Sequence, residues 1–206
     1  LHPLLSLPEP RGRVRSLWLV GRRADAPAGL NGWQAGETTA FSAVTVRSFL
    51  RSNGSDILWQ AANNLGQASL SLDGKACRIS DRQGLRCAGA PDWMHVSQES
   101  HSVGGAERTC LWAHPASDNR PLTLSWGAVP DGELTFGHGL TDHAARSNNS
   151  SPVVVTVRSA GHTHTFEATN RSGWKEYQVR TGGGLSISLR AARDGQRHHC
   201  LAAAIR

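Results

Sequence analysis

Ten histidines, seven tryptophans and four cysteines are the residues of this 206-residue chain with the most chemistry to offer. His162 and His164 stand two apart, so on a strand they face the same side, a spacing that can hold a metal ion. His138, Asp142 and His143 gather in one short stretch, and His198-His199 precede the last cysteine. The competing reading is a solvated strand face with polar loops. On that reading no metal is bound, and His162, His164 and Asp142 remain as the weak ligand candidates. A nucleophilic triad needs Ser or Cys beside a His that an acid orients, and no Gly-x-Ser-x-Gly elbow occurs. Glycoside hydrolysis needs two carboxylates facing one cleft, whereas the sixteen acids sit mostly at turn-like positions such as Asp73, Asp131 and Asp194. The chain therefore reads as a non-enzyme.

Tryptophan is the usual platform for sugars, because the C–H faces of a pyranose stack on an indole while polar neighbours bond the hydroxyls. Trp33 and Trp174 suit this role, since each follows a turn and has polar neighbours: Asn31 and Gln34 for one, Asn170, Arg171 and Lys175 for the other. The candidate ligand-binding set is Asn170, Arg171, Trp174 and Trp33. Trp18, Trp59, Trp112 and Trp126 lie inside apolar runs and are expected in the core. No cofactor is expected, and no motif supports structural calcium. Asn53, Asn148, Asn149 and Asn170 each open an acceptor sequon, which in so turn-rich a chain is also what turns look like.

The four cysteines form an even set without Cys-x-x-Cys spacing, which points to disulfides rather than zinc. Cys77 and Cys87 flank a stretch that reads as a hairpin turning near Asp81–Gly84, which brings them to bridging distance. Cys110 and Cys200 would then pair across neighbouring strands. Two bridges imply an oxidising, extracytoplasmic setting, whether periplasmic, cell-surface or secreted. The net charge of +6 is almost all arginine, and the arginines are scattered along the chain apart from a group at Arg11–Arg23, so nucleic acid is not an expected partner. No run of eighteen apolar residues occurs, so no membrane span is expected. The chain starts at Leu1, as a mature product or an excised domain would.

The elements that position these residues are short runs with period-two alternation, separated by Gly, Pro, Asn and Asp. Strands are expected at Val14–Val20, Phe41–Val46, Ile57–Gln60 and Ala68–Leu72, the last followed by an Asp73-Gly74 hairpin signal. Further strands are expected at Thr109–Ala113, Pro121–Trp126, Glu133–Leu140, Pro152–Val157, His162–Ala168, Trp174–Arg180, Leu185–Leu189 and His199–Ile205. The polar stretch Ser97–Glu107 is expected to loop back to Cys110. The fold class is all-β, an antiparallel, jelly-roll-like sandwich stapled by disulfides. Residues 1–30 form an extended lead-in with an edge strand. Residues 31–206 form the sandwich, as one interleaved unit or as subdomains 31–107 and 108–206.

The second half of the chain resembles the galactose-binding-like β-sandwich group, and within it the NPCBM-type carbohydrate-binding modules. The resemblance is carried by Leu122–Trp126, Phe136–Asp142, Pro152–Val157 with Ala160–Phe166, Leu185–Leu189 and Asp194–Ile205. The family phrase has a second acid where His143 follows Asp142 here, an Asp in the hairpin turn that this chain lacks, and an acid-rich lead-in where Arg197-His198-His199 stand. The resemblance implies a non-catalytic module that recognises a glycan at its loop edge. The alternative is a structural or accessory subunit of a larger cell-surface or membrane-associated assembly, with another protein chain as partner and no sugar site.

Overall fold

The computed structural model describes residues 16–21, 33–42, 44–51, 57–77, 79–80, 84–91 and 93–206. The chain divides into two compact units, Leu1–Asp56 and Ile57–Arg206. That division falls neither at 30/31 nor at 107/108. Strands from both sides of the first position pair within one small sheet, and a single strand runs through the second.

The first unit is a three-stranded antiparallel sheet of β1 (Ser16–Gly21), β2 (Trp33–Phe41) and β3 (Val44–Arg51), in the order β1-β3-β2. The expected strand Phe41–Val46 is instead the reversal between β2 and β3. Phe41 pairs with Val44, and Ser42 takes a positive φ of 51°. Phe49 is buried under the guanidinium of Arg47, 5.4 Å from its ring centre.

The second unit contains β4 (Trp59–Gln60), β5 (Ser69–Leu72), β6 (Lys75–Ala76), β7 (Ile79–Ser80), β8 (Gly84–Arg86), β9 (His95–Val103) and β10 (Ala106–Ala113). It continues with β11 (Leu122–Leu140), a one-turn helix α1 (Asp142–Ala145), β12 (Val153–Ser159), β13 (His162–Ala168), β14 (Lys175–Ala191) and β15 (His199–Ile205). Two pairs of expected strands are single elements. β11 joins Pro121–Trp126 to Glu133–Leu140, and β14 joins Trp174–Arg180 to Leu185–Leu189. The turn signals between them, Pro130-Asp131-Gly132 and Gly182-Gly183-Gly184, produce register shifts between Trp126 and Gly132 instead of chain reversals. Gly183 adopts φ +69°, a conformation that suits glycine. Such bulges bend a strand and let it pass from one layer to the other.

The bent pair organises the sandwich. Its Leu122–Trp126 and Leu185–Leu189 halves lie in one layer with β12 and β13 on one side and β5 and β6 on the other. Its Glu133–His138 and Lys175–Arg180 halves lie in the other layer, which continues through β15, β10, β9, β8 and β7. Leu122, Leu124, Leu134, Phe136, Val153, Val155, Val157, Leu185, Ile187, Leu189, Leu201 and Ile205 alternate inward and are essentially sealed from solvent. Each contributes about 1.5–3 kcal/mol from burial. Phe166 of β13 stacks on Tyr177 of β14 at 4.0 Å, and Trp59 meets Trp126 edge-on at 5.3 Å, so the two layers are closed on each other by rings.

Both disulfides are present, Cys77–Cys87 and Cys110–Cys200, with Cα separations of 4.2 and 5.6 Å. Among the described residues no helix is long and apolar enough to cross a membrane. The stretch Ser97–Glu107 is not a loop. It is most of the β9–β10 hairpin, with Glu107 opposite Ser102 and Ala106 opposite Val103. It is polar because much of the hairpin faces away from the core.

Candidate functional site

Three consecutive residues entering β15, Arg197, His198 and His199, send their side chains to three different places. Arg197 is fully buried. Its Nη1 donates to Ser151 O (3.2 Å) and Asn170 Oδ1 (2.7 Å), and its Nη2 donates to Ala144 O (2.8 Å) and Ser147 Oγ. One guanidinium therefore ties together the segments after β11, before β12 and after β13. Asn149 adds to the clamp by donating from Nδ2 to Arg193 O and Gly195 O.

That clamp accounts for Asn170. Besides accepting from Arg197, its carboxamide donates to Ser147 O at 3.1 Å, so both ends of the expected sugar-binding amide work inside the fold. Arg171, next along the same loop, is exposed. Trp174 is half-buried and donates from Nε1 to Glu176 at 3.0 Å. The guanidinium of Arg108 lies 4.6 Å from its ring centre. Below it is Gly137, where a Cβ would come within 2.3 Å of the indole Cζ2, so only glycine admits the ring there. Trp174 also packs on Val103 and the Cys110–Cys200 bridge. Trp33 opens β2 in the other unit, and its side chain lies outside the described residues.

The metal candidates do not converge. His162 and His164 share a face of β13 with ring centres 6.5 Å apart, and His164 stacks on Phe166. The Asp142 carboxylate is engaged by the β9–β10 turn, accepting from Ser102 Oγ (2.6 Å) and from the backbone of Gly104 (2.7 Å) and Gly105 (3.1 Å). The Ser102 bond, followed by those backbone donors, holds its pKa below the ordinary value against the opposing effect of burial. Among the described residues no three of His, Cys, Asp and Glu form a metal-binding group.

His198 leads to a patch that the sequence reading passes over. Trp112 is buried, yet it lies on the outer face of its layer, covered by imidazoles and not by the core. The rings of His95, His198, His114 and His101 stand 4.5, 5.6, 6.1 and 6.4 Å from it. His143 stacks on His198 at 5.7 Å. Glu99 sits between two of these rings, accepting from His95 Nε2 (3.2 Å), His101 Nε2 (2.8 Å) and Ser97 Oγ. Burial acts to raise the pKa of that carboxyl, and the bonds from Ser97, His101 and His95 outweigh it, so Glu99 titrates below its ordinary value. Burial lowers the pKa of both His114 and His198, against the opposing bond to Pro115 O for His114, and nearby Arg197 reinforces the shift in each. His114 donates from Nδ1 to Pro115 O, leaving Nε2 as an acceptor. At the rim, Trp93 is 45% exposed and its ring lies 4.5 Å from that of His114. The signal was legible as His95, Ser97, Glu99 and His101 at every second position, but only once the stretch is known to be a strand.

His199 turns the other way, into the core, where its Nε2 lies 3.1 Å from Nδ1 of His138. Among the described residues their outer nitrogens, His138 Nε2 and His199 Nδ1, have no partner. Burial, reinforced by Lys175, lowers the pKa of His138 to about 4, and burial with His138 nearby lowers that of His199 as well. The unfolded chain therefore takes up protons near pH 6.5 that the folded chain refuses until about pH 4, and stability falls as pH drops through that window. From His138 alone the loss between pH 6.5 and 5 is about 1.5 kcal/mol. Urea melts across this range check it. The His138→Leu variant is expected to flatten the acid limb, and an unchanged limb would show that other groups govern it.

No protein-family model matches the chain. No curated protein matches it either. Among solved structures, the chain is similar to CBM51 of Clostridium perfringens GH95 in complex with methyl-galactose, at 11% identity over 65% of this chain and 92% of that one, with a TM-score of 0.41. It is also similar to the CBM51-2 and INT domains of Clostridium perfringens ZmpB in complex with GlcNAc, at 13% identity over 93% of this chain and 40% of that one, with a TM-score of 0.46. Against the ZmpB M60 catalytic domain with its CBM51-1 and CBM51-2 domains, identity is 14% over 56% of this chain, the TM-score is 0.42, and the chain spans only 14% of that length.

Proposed function

We propose that this chain is a non-catalytic glycan-recognition module of an extracytoplasmic protein, and that its sugar is held at the edge carrying Trp93. The observation that carries this reading is an indole left 45% exposed at the rim of a patch rich in imidazole donors and acceptors. An exposed indole offers a stacking face to the C–H side of a pyranose, and His114, His143 and His198 offer nitrogens to its hydroxyls. Glu99 orients His95 and His101 through its two oxygens. Arg197 ties the loop bearing Arg171 and Trp174 to the segment bearing His198, so that loop supplies further contacts for a longer glycan. The two disulfides support an oxidising compartment. One observation favours the alternative of an accessory subunit: the first unit exposes Val20 at 68% and Phe41 at 61%, an apolar surface that another chain would cover.

A glycan array followed by calorimetry on Trp93→Ala tests the main reading. Because Trp93 is exposed, stability should change by less than about 0.5 kcal/mol. Binding should weaken roughly five- to thirtyfold, since loss of an aromatic stacking contact costs on the order of 1–2 kcal/mol. Undiminished binding by Trp93→Ala would move the site off this rim. An array with no hits would remove the glycan reading and favour assembly.

A further inference from the structure

We propose that the sugar taken by the imidazole patch bears a carboxylate, as a uronic acid does, and that its binding tightens as the medium turns mildly acidic. This rests on the glycan reading above and adds its ligand class and its control by pH. Five of the ten histidines meet in the patch, four around Trp112 and His143 against His198. His114 and His198 are themselves 5.5 Å apart.

The charges facing the patch come from every element around it. β9 brings His95, Glu99 and His101, β8 brings Arg86 opposite His95, and β10 brings Arg108 opposite His101. α1 brings His143, and the segment before β15 brings Asp194, Arg197 and His198. Among the described residues the anions are already committed. Glu99 is bonded to Ser97, His95 and His101, Asp142 to the Gly104-Gly105 turn, and among the described residues the only imidazole–carboxylate pairs of the patch are the two to Glu99. Asp194 reaches His114 only as a weaker, longer-range attraction. Among the described residues, His114, His143 and His198 have no carboxylate bonded to them, with Arg108 and Arg197 close by. A neutral sugar would use these rings as simple donors and acceptors. A carboxylate would supply the one charge they lack.

The same geometry couples the ligand to protons. Burial disfavours the charged forms of His114 and His198 in the free protein, and an anion seated against them favours those forms, so ligand and proton bind together. By linkage each proton taken up tightens binding by as much as tenfold for every pH unit below neutrality, until the free imidazole itself is charged. The chain's net charge of +6 adds a long-range pull on an acidic glycan.

The test is calorimetry on the whole chain with oligogalacturonate and, as its neutral counterpart, a galacto-oligosaccharide of equal length, at pH 7.5 and 6.0, with circular dichroism confirming the fold at both. The expected result is binding of oligogalacturonate that is roughly tenfold or more tighter at pH 6.0, with a measured proton uptake, and a neutral counterpart that is weaker and insensitive to pH. The His198→Gln variant should bind oligogalacturonate with a weaker pH dependence, His114 retaining its own share. Equal, pH-independent binding of both saccharides would overturn this inference and leave the glycan reading standing, as would binding of neutral array sugars alone through Trp93. Absence of any saccharide binding would overturn both.

Discussion

Replacing Cys110 and Cys200 together by alanine is expected to cost about 4–5 kcal/mol of stability, the largest effect of any change considered for this chain. The bridge closes a loop across a sequence separation of 90 residues, and the chain-entropy treatment of cross-links gives roughly that figure for such a loop. The Cys77–Cys87 bridge, at a separation of 10, closes a hairpin that β7 and β8 already close by pairing, and the same treatment gives only about 2–3 kcal/mol. The long bridge also has a local role. Cys110, Cys200 and Val103 form a buried cluster with Trp174 on the outer face of the second layer, away from the core. Loss of the bridge should therefore loosen the β9–β10 hairpin and with it the face that carries His95, Glu99, His101 and Trp112. Denaturant melts of the two double-alanine variants measure the difference. A Cys77→Ala/Cys87→Ala protein as destabilised as the Cys110→Ala/Cys200→Ala protein would refute the ordering.

The elements were largely legible because a half-buried strand writes its alternation into the sequence. His199–Ile205 and His162–Ala168 have the expected bounds, and both disulfide pairs follow from an even count and the symmetry of a hairpin. The connections were less legible. Pro130-Asp131-Gly132 and Gly182-Gly183-Gly184 have the composition of turns, yet neighbouring strands on both sides hold the backbone extended, and the glycine-rich pieces become bends in β11 and β14. The site was hardest to see, since its location depends on which face of a strand a residue occupies. Trp112 lies in an apolar run and so reads as core, but its neighbour Leu111 faces the core and Trp112 faces the histidines. Asn170 has the chemistry of a sugar ligand. Only the position of Arg197, 27 residues further on, shows that its amide is already used.

Arg197→Met is expected to destabilise the chain by roughly 3–5 kcal/mol, the range for breaking a buried polar network. The side chain has no exposure to solvent, and burial lowers its pKa from the ordinary value, so its charge persists only because the surroundings solvate it. Four acceptors do so: the carbonyls of Ala144 and Ser151, the Ser147 hydroxyl and the Asn170 carboxamide. Methionine fills much of the volume but donates nothing, so Ser151 O and Asn170 Oδ1 would each lose a donor at about 1–3 kcal/mol unless water enters, whereas Ala144 O keeps its bonds from Ser147 N and Oγ. Lysine retains the charge but lacks the planar fork that reaches two segments at once, and Arg197→Lys should fall between wild type and Arg197→Met. The effect should also be localised. Hydrogen exchange is expected to rise first in 141–151 and 168–174, the loops that share the guanidinium, before it rises in β12 or β14, whose amides are held by ladders on both sides. Exchange that rises uniformly across the second unit would mean that Arg197 supports the sandwich as a whole. A loss below about 1 kcal/mol would mean that the four bonds contribute little beyond what water could supply in their place.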